Sequence, residues 1–375
     1  MKSFIIAPDS FKGTMSSSRI CGIMEEVLLQ HFPGANVRKL PVADGGEGTV
    51  ECFKEAVGGT KVTLKVSGPF FDEVEASYII LPDNTTAVIE LAAAAGLPLV
   101  GENKNPRNTT TFGVGQMIKH ALEKGCTNII LGLGGSSTND GGTGIAAALG
   151  VKFYDENGDE FVPVGGPLNR IKRIDISDRF KELANCSVTA MCDVDNPLFG
   201  KNGAAYIFAP QKGADADMVV ELDNNLRYLA ELIKDQLHID IAQMPGAGAA
   251  GGAGAGVVAF LGGELKPGIE TVLDVVKFDS LLVNADIVFT GEGKIDTQSL
   301  RGKVVIGIAK RAKRKGVPVV AVVGDIGDGI SEVYDLGVTA VVSISRSVLP
   351  LDEVLKRSES NLRDTMHTIA QLLKL

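Results

Sequence analysis

The chain has 375 residues and a formal net charge of -9. That length exceeds what one compact core usually holds, so two domains are expected. Its 45% hydrophobic and 22% charged content are those of an ordinary globular protein, and the acidic balance argues against a nucleic-acid surface. The 5 cysteines are scattered without a C-x-x-C pair, and none of the 4 histidines sits at ligand spacing. Reduced thiols fit that pattern better than a disulfide framework or a zinc site. MKSFIIAPDS is too short an apolar run for a secretory leader. Residues 246–263 are uncharged but glycine-rich, a poor membrane span. A cytoplasmic protein without membrane or nucleic-acid partners is expected.

In chain order, residues 3–7 read as a buried strand ended by Pro8-Asp9, with a loop through Lys12 behind it. Ser16 opens a helix to about Phe32, where Ile20, Ile23, Met24, Val27 and Leu28 fall at helical spacing. Residues 37–42 make a second strand that empties into a glycine-rich loop containing Asp44, and a helix covers 49–57. Residues 62–66, 74–81 and 86–91 then follow as strands with no helical pattern between them. A helix carries Val114, Met117, Ile118, Ala121 and Leu122 on one face.

Residues 128–149 read as strand, glycine turn and helix around GLGGSSTNDGGTG, residues 132–144. Such a turn lets successive N–H groups and a helix dipole face an anion. Ser136, Ser137, Thr138 and Asn139 add neutral donors, and Asp140 adds a carboxylate. The stretch is neither a P-loop nor a dinucleotide fingerprint. An ordinary capped turn remains the other reading of the same residues.

Beyond it come a hairpin over 151–162 turning at Asn157-Gly158, and a strand over 187–192 running into Asp193 and Asp195. A helix over 217–238 precedes Gly246-Ala247-Gly248-Ala249-Ala250-Gly251, which matches G-x-G-x-x-G with no strand before it. Close packing of small residues therefore explains it better than a nicotinamide site. A strand over 286–290 enters GEGKIDTQSLRGK, with Lys294, Asp296, Arg301 and Lys303. Residues 317–323 and 340–344 are apolar strands of the parallel kind, and an amphipathic helix closes the chain.

The fold class expected is α/β. A discontinuous, doubly wound, Rossmann-like domain would comprise 1–65, 110–150 and 280–375. A second α/β domain, 66–109 and 151–279, would be inserted, with the active site in a cleft between them. Glycine loops, carboxylates and isolated basic residues are the inventory of phosphoryl transfer, which is mostly positioning and charge stabilisation. Carboxylates at such loops can hold Mg²⁺ alongside substrate phosphates. Lys12, Lys294, Arg301 and Lys303 could neutralise phosphate charge, and Lys294, Arg301 and Lys303 read equally as solvated loop residues.

Seven strings carry a family resemblance: APDSFKGT (7–14), PVADGGEGT (41–49), LGLGGSSTNDGG (131–142), CDVDNPLFG (192–200), APQKGA (209–214), GAGAAGGAGAG (246–256) and TGEGKIDTQSLRGK (290–303). In this order and over nearly the whole chain, they resemble the type I glycerate kinases. The resemblance implies an ATP- and Mg²⁺-dependent kinase that converts D-glycerate to 2-phosphoglycerate. It carries no residue roles by itself.

On the reading of the residues, Gly134, Gly135, Ser136, Ser137, Asn139 and Lys294 would bind phosphate. Asp193 would take the hydroxyl proton or bind Mg²⁺, with Asp296 a second metal ligand. Lys12 would stabilise the transferring phosphoryl charge and Asp44 would position the substrate. Self-association is left open. Two rivals stand beside this reading: an NAD(P)-dependent dehydrogenase of a small hydroxy acid, and a non-catalytic phosphate or carboxylate sensor.

Overall fold

The computed structural model describes residues 1–42, 45–46, 48–297, 299–301, 303–347 and 350–375. In chain order it forms β1 (Ser3–Pro8), α1 (Ser17–His31), β2 (Asn36–Lys39), α2 (Thr49–Val57), β3 (Thr60–Ser67), β4 (Glu73–Ile80) and β5 (Thr86–Glu90). Then come α3 (Phe112–Glu123), β6 (Asn128–Gly132), α4 (Thr143–Ala148), β7 (Ser187–Met191), α5 (Ala216–Leu237), α6 (Ala249–Leu261) and β8 (Glu264–Lys266). The last part holds β9 (Ile287–Gly291), α7 (Val304–Arg314), β10 (Val319–Val323), β11 (Ala340–Ser343) and α8 (Ser358–Leu372). None of the described helices is long and apolar enough to cross a membrane.

Two compact units result. The first comprises Met1–Asp44, Glu51–Gly58 and Pro267–Leu375, and the second Gly45–Val50 and Gly59–Lys266. The first unit is built on a five-stranded sheet in the order β11-β10-β9-β1-β2, parallel throughout. From β1 the chain moves outward to β2, and from β9 it moves the other way to β10 and β11. The order therefore reverses between β1 and β9, and in α/β sheets the crevice beyond such a reversal is where ligands bind.

Helix α1 shows how sequence builds this unit. Its Ser16 side chain accepts from the Arg19 amide, a cap of about 1 kcal/mol. Ile20, Ile23, Met24 and Val27 are fully buried with Leu362, Met366 and Ile369. At roughly 2 kcal/mol per side chain, their burial outweighs the cap severalfold. Packing of the apolar stripe, not capping, holds α1 in place.

The second unit carries a six-stranded mixed sheet, β8-β7-β6-β5-β4-β3. The pairs β8–β7, β7–β6 and β6–β5 are parallel, while β5–β4 and β4–β3 are antiparallel. The expected hairpin forms between Lys152–Tyr154 and Glu160–Phe161, and Arg173–Asp175 joins as a third strand. The division differs from the sequence expectation, which grouped 110–150 with the terminal strands. Strand β6 pairs instead with β5 and β7, so the 132–144 loop belongs to the second unit. An apolar strand flanked by glycine looks the same whichever sheet it enters, and only pairing decides. The second strand is also shorter than expected, ending at Lys39 as an edge with one neighbour.

Candidate functional site

In the second unit, β5, β6 and β7 end in register at Glu90, Gly132 and Met191. Their following loops thus meet at one carboxyl edge. The Glu90 carboxylate accepts the Val50 amide at 2.7 Å. The Gly134 amide donates to the Gly45 carbonyl at 3.0 Å. A Cβ at Gly134 would lie 2.4 Å from the Gly46 Cα, so only glycine permits this approach. Gly134 and Gly135 form the part of the loop that solvent reaches, and the chain is buried from Ser136 onward.

The residues expected to cradle phosphate divide here. Ser137 directs both its amide and its hydroxyl to the Ala95 carbonyl, at 2.8 and 2.9 Å. Ser136 accepts from the Lys212 ammonium at 2.7 Å. Asn139 is fully buried, and both ends of its amide lack a partner among the described residues, as does the Thr138 hydroxyl. Asp140 accepts from the Thr111 amide and hydroxyl and from the Gly142 and Gly144 amides, at 2.7 to 3.3 Å. Burial raises the Asp140 pKa and these bonds oppose the rise. Its carboxylate joins the starts of α3 and α4.

The glycine run that opens α6 packs against the same loop. Ala250, Gly251 and Gly252 have φ of 53°, 66° and 91°. A Cβ at Gly251 would meet the Thr138 carbonyl at 1.9 Å. Close backbone packing, as read from the sequence, accounts for this G-x-G-x-x-G match. Asp193 and Asp195 are exposed in the loop after β7, next to the end of β6. Burial pushes the Cys192 thiol up to about 11, with both aspartates adding to the rise.

In the first unit the edge of interest is the order reversal between β1 and β9. Pro8 pairs with Gly291, and the Asp9 amide donates to the Gly291 carbonyl at 2.8 Å. The next residue, Glu292, is 6% exposed, and its Oε1 has no hydrogen-bond partner among the described residues. Burial pushes its carboxyl up to about 7, opposed by a Ser299 hydrogen bond and the Lys303 charge and reinforced by Asp9 and Asp296.

Lys12 is exposed in the loop after β1, and its backbone runs beside Gly293. Lys294 is exposed and lies 3.4 Å from Asp325. Asp296 closes a turn with Ser299, whose amide donates to the Asp296 carbonyl at 3.0 Å. Lys12, Lys294 and Asp296 thus share the first unit, whereas Asp193 and the 134–139 residues share the second. Asp44 lies outside the described residues.

The first unit's edge offers hard oxygen donors on Asp9, Glu292 and Asp296. No group of three or more His, Cys, Asp or Glu gathers as a metal cluster among the described residues. This donor set fits Mg²⁺, which takes one or two carboxylates and completes its shell with water and phosphate.

Three residues escaped the sequence reading: Asp9, Glu292 and Lys212. Each lies inside one of the quoted strings, APDSFKGT, TGEGKIDTQSLRGK and APQKGA. The available signal was a charged residue placed against glycine or proline in a long recognisable string. The burial of Glu292 and Lys212 was not visible.

The whole chain has known relatives. Residues 4–374 match the glycerate kinase family model. A "Glycerate 2-kinase" of Escherichia coli (strain K12) is 47% identical over 372 residues, covering 99% of this chain and 98% of the relative. A "Glycerate kinase" of Halalkalibacterium halodurans is 45% identical over 371 residues, with 99% and 98% covered. A crystal structure from Salmonella typhimurium LT2, named for glycerate kinase 2, superposes with a TM-score of 0.88 at 42% identity. It covers 100% of this chain and 98% of that one.

Proposed function

Because the chain belongs to the glycerate kinase family, we propose that it transfers the γ-phosphoryl group of ATP to D-glycerate and releases ADP and 2-phospho-D-glycerate. The observation that carries the 2-position is the whole-length identity with the Escherichia coli protein named for that activity. In the transfer, the glycerate hydroxyl oxygen bonds to the γ-phosphorus while the bond from that phosphorus to the β–γ bridging oxygen breaks. The hydroxyl proton passes to Asp193, exposed beyond β7. Gly135, exposed at the tip of the loop, and the Ser136 hydroxyl directly behind it bind phosphate oxygens, while Gly134, its amide bonded to the Gly45 carbonyl, holds the loop in place. Ser137 and Asn139 shape that loop from within.

Lys12 stabilises the charge of the moving phosphoryl group, with Lys294 a further cation on the same unit. Mg²⁺, when bound, neutralises phosphate charge. Asp296 would hold it, with Glu292 Oε1, which has no partner among the described residues, a second ligand. Asp44 keeps its proposed role in positioning glycerate.

The test is ³¹P NMR of the protein with ATP, Mg²⁺ and D-glycerate. A 2-phosphoglycerate signal growing with ADP is expected. A 3-phosphoglycerate signal would overturn the position, and no ATP consumption would overturn the reading, with nicotinamide reduction then pointing to a dehydrogenase. Asp193→Asn and Lys12→Ala should each lower kcat by roughly 10²-fold or more. Normal turnover in a folded variant removes that residue from the mechanism.

A further inference from the structure

We propose that Lys212 is a positioning residue for phosphate binding and acts through Ser136. By donating to the Ser136 oxygen, it leaves that hydroxyl's proton for a phosphate oxygen at the tip of the 132–144 loop. This rests on the kinase reading above, in which that tip meets phosphate.

Lys212 ends the short helix Pro210–Lys212 and is 2% exposed. The left-handed Gly213 then turns the chain across the Lys104 carbonyl. The Lys212 Nζ donates to Ser136 Oγ and to the Thr138 carbonyl, both at 2.7 Å. Both acceptors are neutral, an expensive setting for a buried amine. Asp140 contributes attraction through space, but its oxygens are engaged by Thr111, Gly142 and Gly144. A buried lysine held only as a brace could be replaced by an apolar side chain of similar length. Its presence against that cost asks for a task.

Ser136 supplies one. A hydroxyl has one proton to give and two lone pairs. With one lone pair taken by Lys212, no acceptor for the proton is found among the described residues. The other hydroxyls of the loop are differently placed. Ser137 donates to the Ala95 carbonyl, and Thr138 is fully buried. Ser136 follows the exposed Gly135 directly. Donation from a charged amine strengthens the next hydrogen bond in the chain. Burial pushes the Lys212 amine down to about 7, so an anion held one hydroxyl away would favour its charged form.

The test is a double-mutant cycle on the full chain with Ser136→Ala, Lys212→Met and the pair, reading kcat and KM for ATP. Circular dichroism and thermal melting verify folding. Each single variant should raise KM for ATP about tenfold, the scale of one charge-assisted hydrogen bond. The pair should be little worse than either alone, because both disable the same hydrogen bond from Ser136 to phosphate. Single effects that multiply would make Lys212 only a structural brace and overturn the proposal. Ser136→Ala keeps Lys212 bonded to Thr138, so it is readable even where Lys212→Met does not fold. An unchanged KM in Ser136→Ala also overturns the proposal. A wild-type protein without ATP turnover would instead overturn the kinase reading. The cycle is then read from the ATP-induced shift in Tm, and the same additivity criterion applies.

Discussion

Asp9 and Glu292 stand side by side at the ends of two paired parallel strands, where the Asp9 amide bonds to the carbonyl just before Glu292. Each lies one residue beyond its strand, at the reversal of the sheet order. Two carboxylates placed there repel one another, and that repulsion adds to the burial that raises Glu292. A fold under selection for stability alone would avoid such a pair.

Replacing Glu292 by Gln keeps the shape and removes the charge. The expected result is a fall in kcat of roughly 10²-fold, as for loss of one preorganised group at a site of charge transfer. Tm should not fall, because a buried carboxylate whose Oε1 has no partner among the described residues is a cost to the fold. Steady-state kinetics beside a thermal melt tests both halves. Unchanged kcat would reduce Glu292 to a feature of the sheet edge.

Arg311 supplies the contrasting case. It is 8% exposed on α7 and bonds Glu270 and Asp274 through Nη2 at 2.5 and 2.6 Å, and Asp279 through Nη1 at 3.0 Å. Arg311→Ala should cost roughly 2 kcal/mol of stability. That is less than for a fully buried pair, because solvent reaches the three carboxylates. Urea unfolding measures this loss. The folded variant should keep its kcat, and a tenfold fall would show that this end of α7 bears on the chemistry.

How far the sequence carries depends on what each feature needs. The stripe Ile20, Ile23, Met24 and Val27 announces α1, because helical spacing is local information. The strands near 62, 74 and 86 are legible for the same reason. The partners of β6 are not, since pairing with β5 and β7 joins residues some 40 to 60 positions apart. Asp140 read as one carboxylate in a phosphate-handling loop, and it is engaged by four protein donors. Lys212 drew no role from the sequence, and it is buried. Charge and spacing name the residues that could do chemistry. Burial and hydrogen-bond partners decide which remain available for it.

The Asp140 result makes a graded prediction. Asp140→Ala leaves the Thr111, Gly142 and Gly144 amides unpaired in a buried site, at about 1–3 kcal/mol each. A loss of roughly 3 kcal/mol or more is expected. Asp140→Asn should cost less. Its oxygen can take the place of Oδ2, which serves both Thr111 groups and Gly144, and only the Gly142 bond is lost. Chemical denaturation of the two variants ranks them, and equal losses would mean that the hydrogen bonds do not set the cost.

Lys212 makes stability depend on pH in a defined direction. Its amine falls to about 7 in the folded protein, against 10.5 for a free side chain. Between those values the unfolded chain holds a proton that the folded chain does not, so stability rises with pH across that window. Below about 7 both states are charged and the full burial cost is present. The slope should approach roughly 1 kcal/mol per pH unit between pH 8 and 10. Urea unfolding of the wild type and Lys212→Met, at intervals from pH 7 to 10, isolates this term by difference, because other titrating groups are common to both. The wild type should gain on the variant as pH rises. Parallel curves would mean that the amine keeps its proton despite burial, held by an attraction stronger than Asp140 provides across the loop.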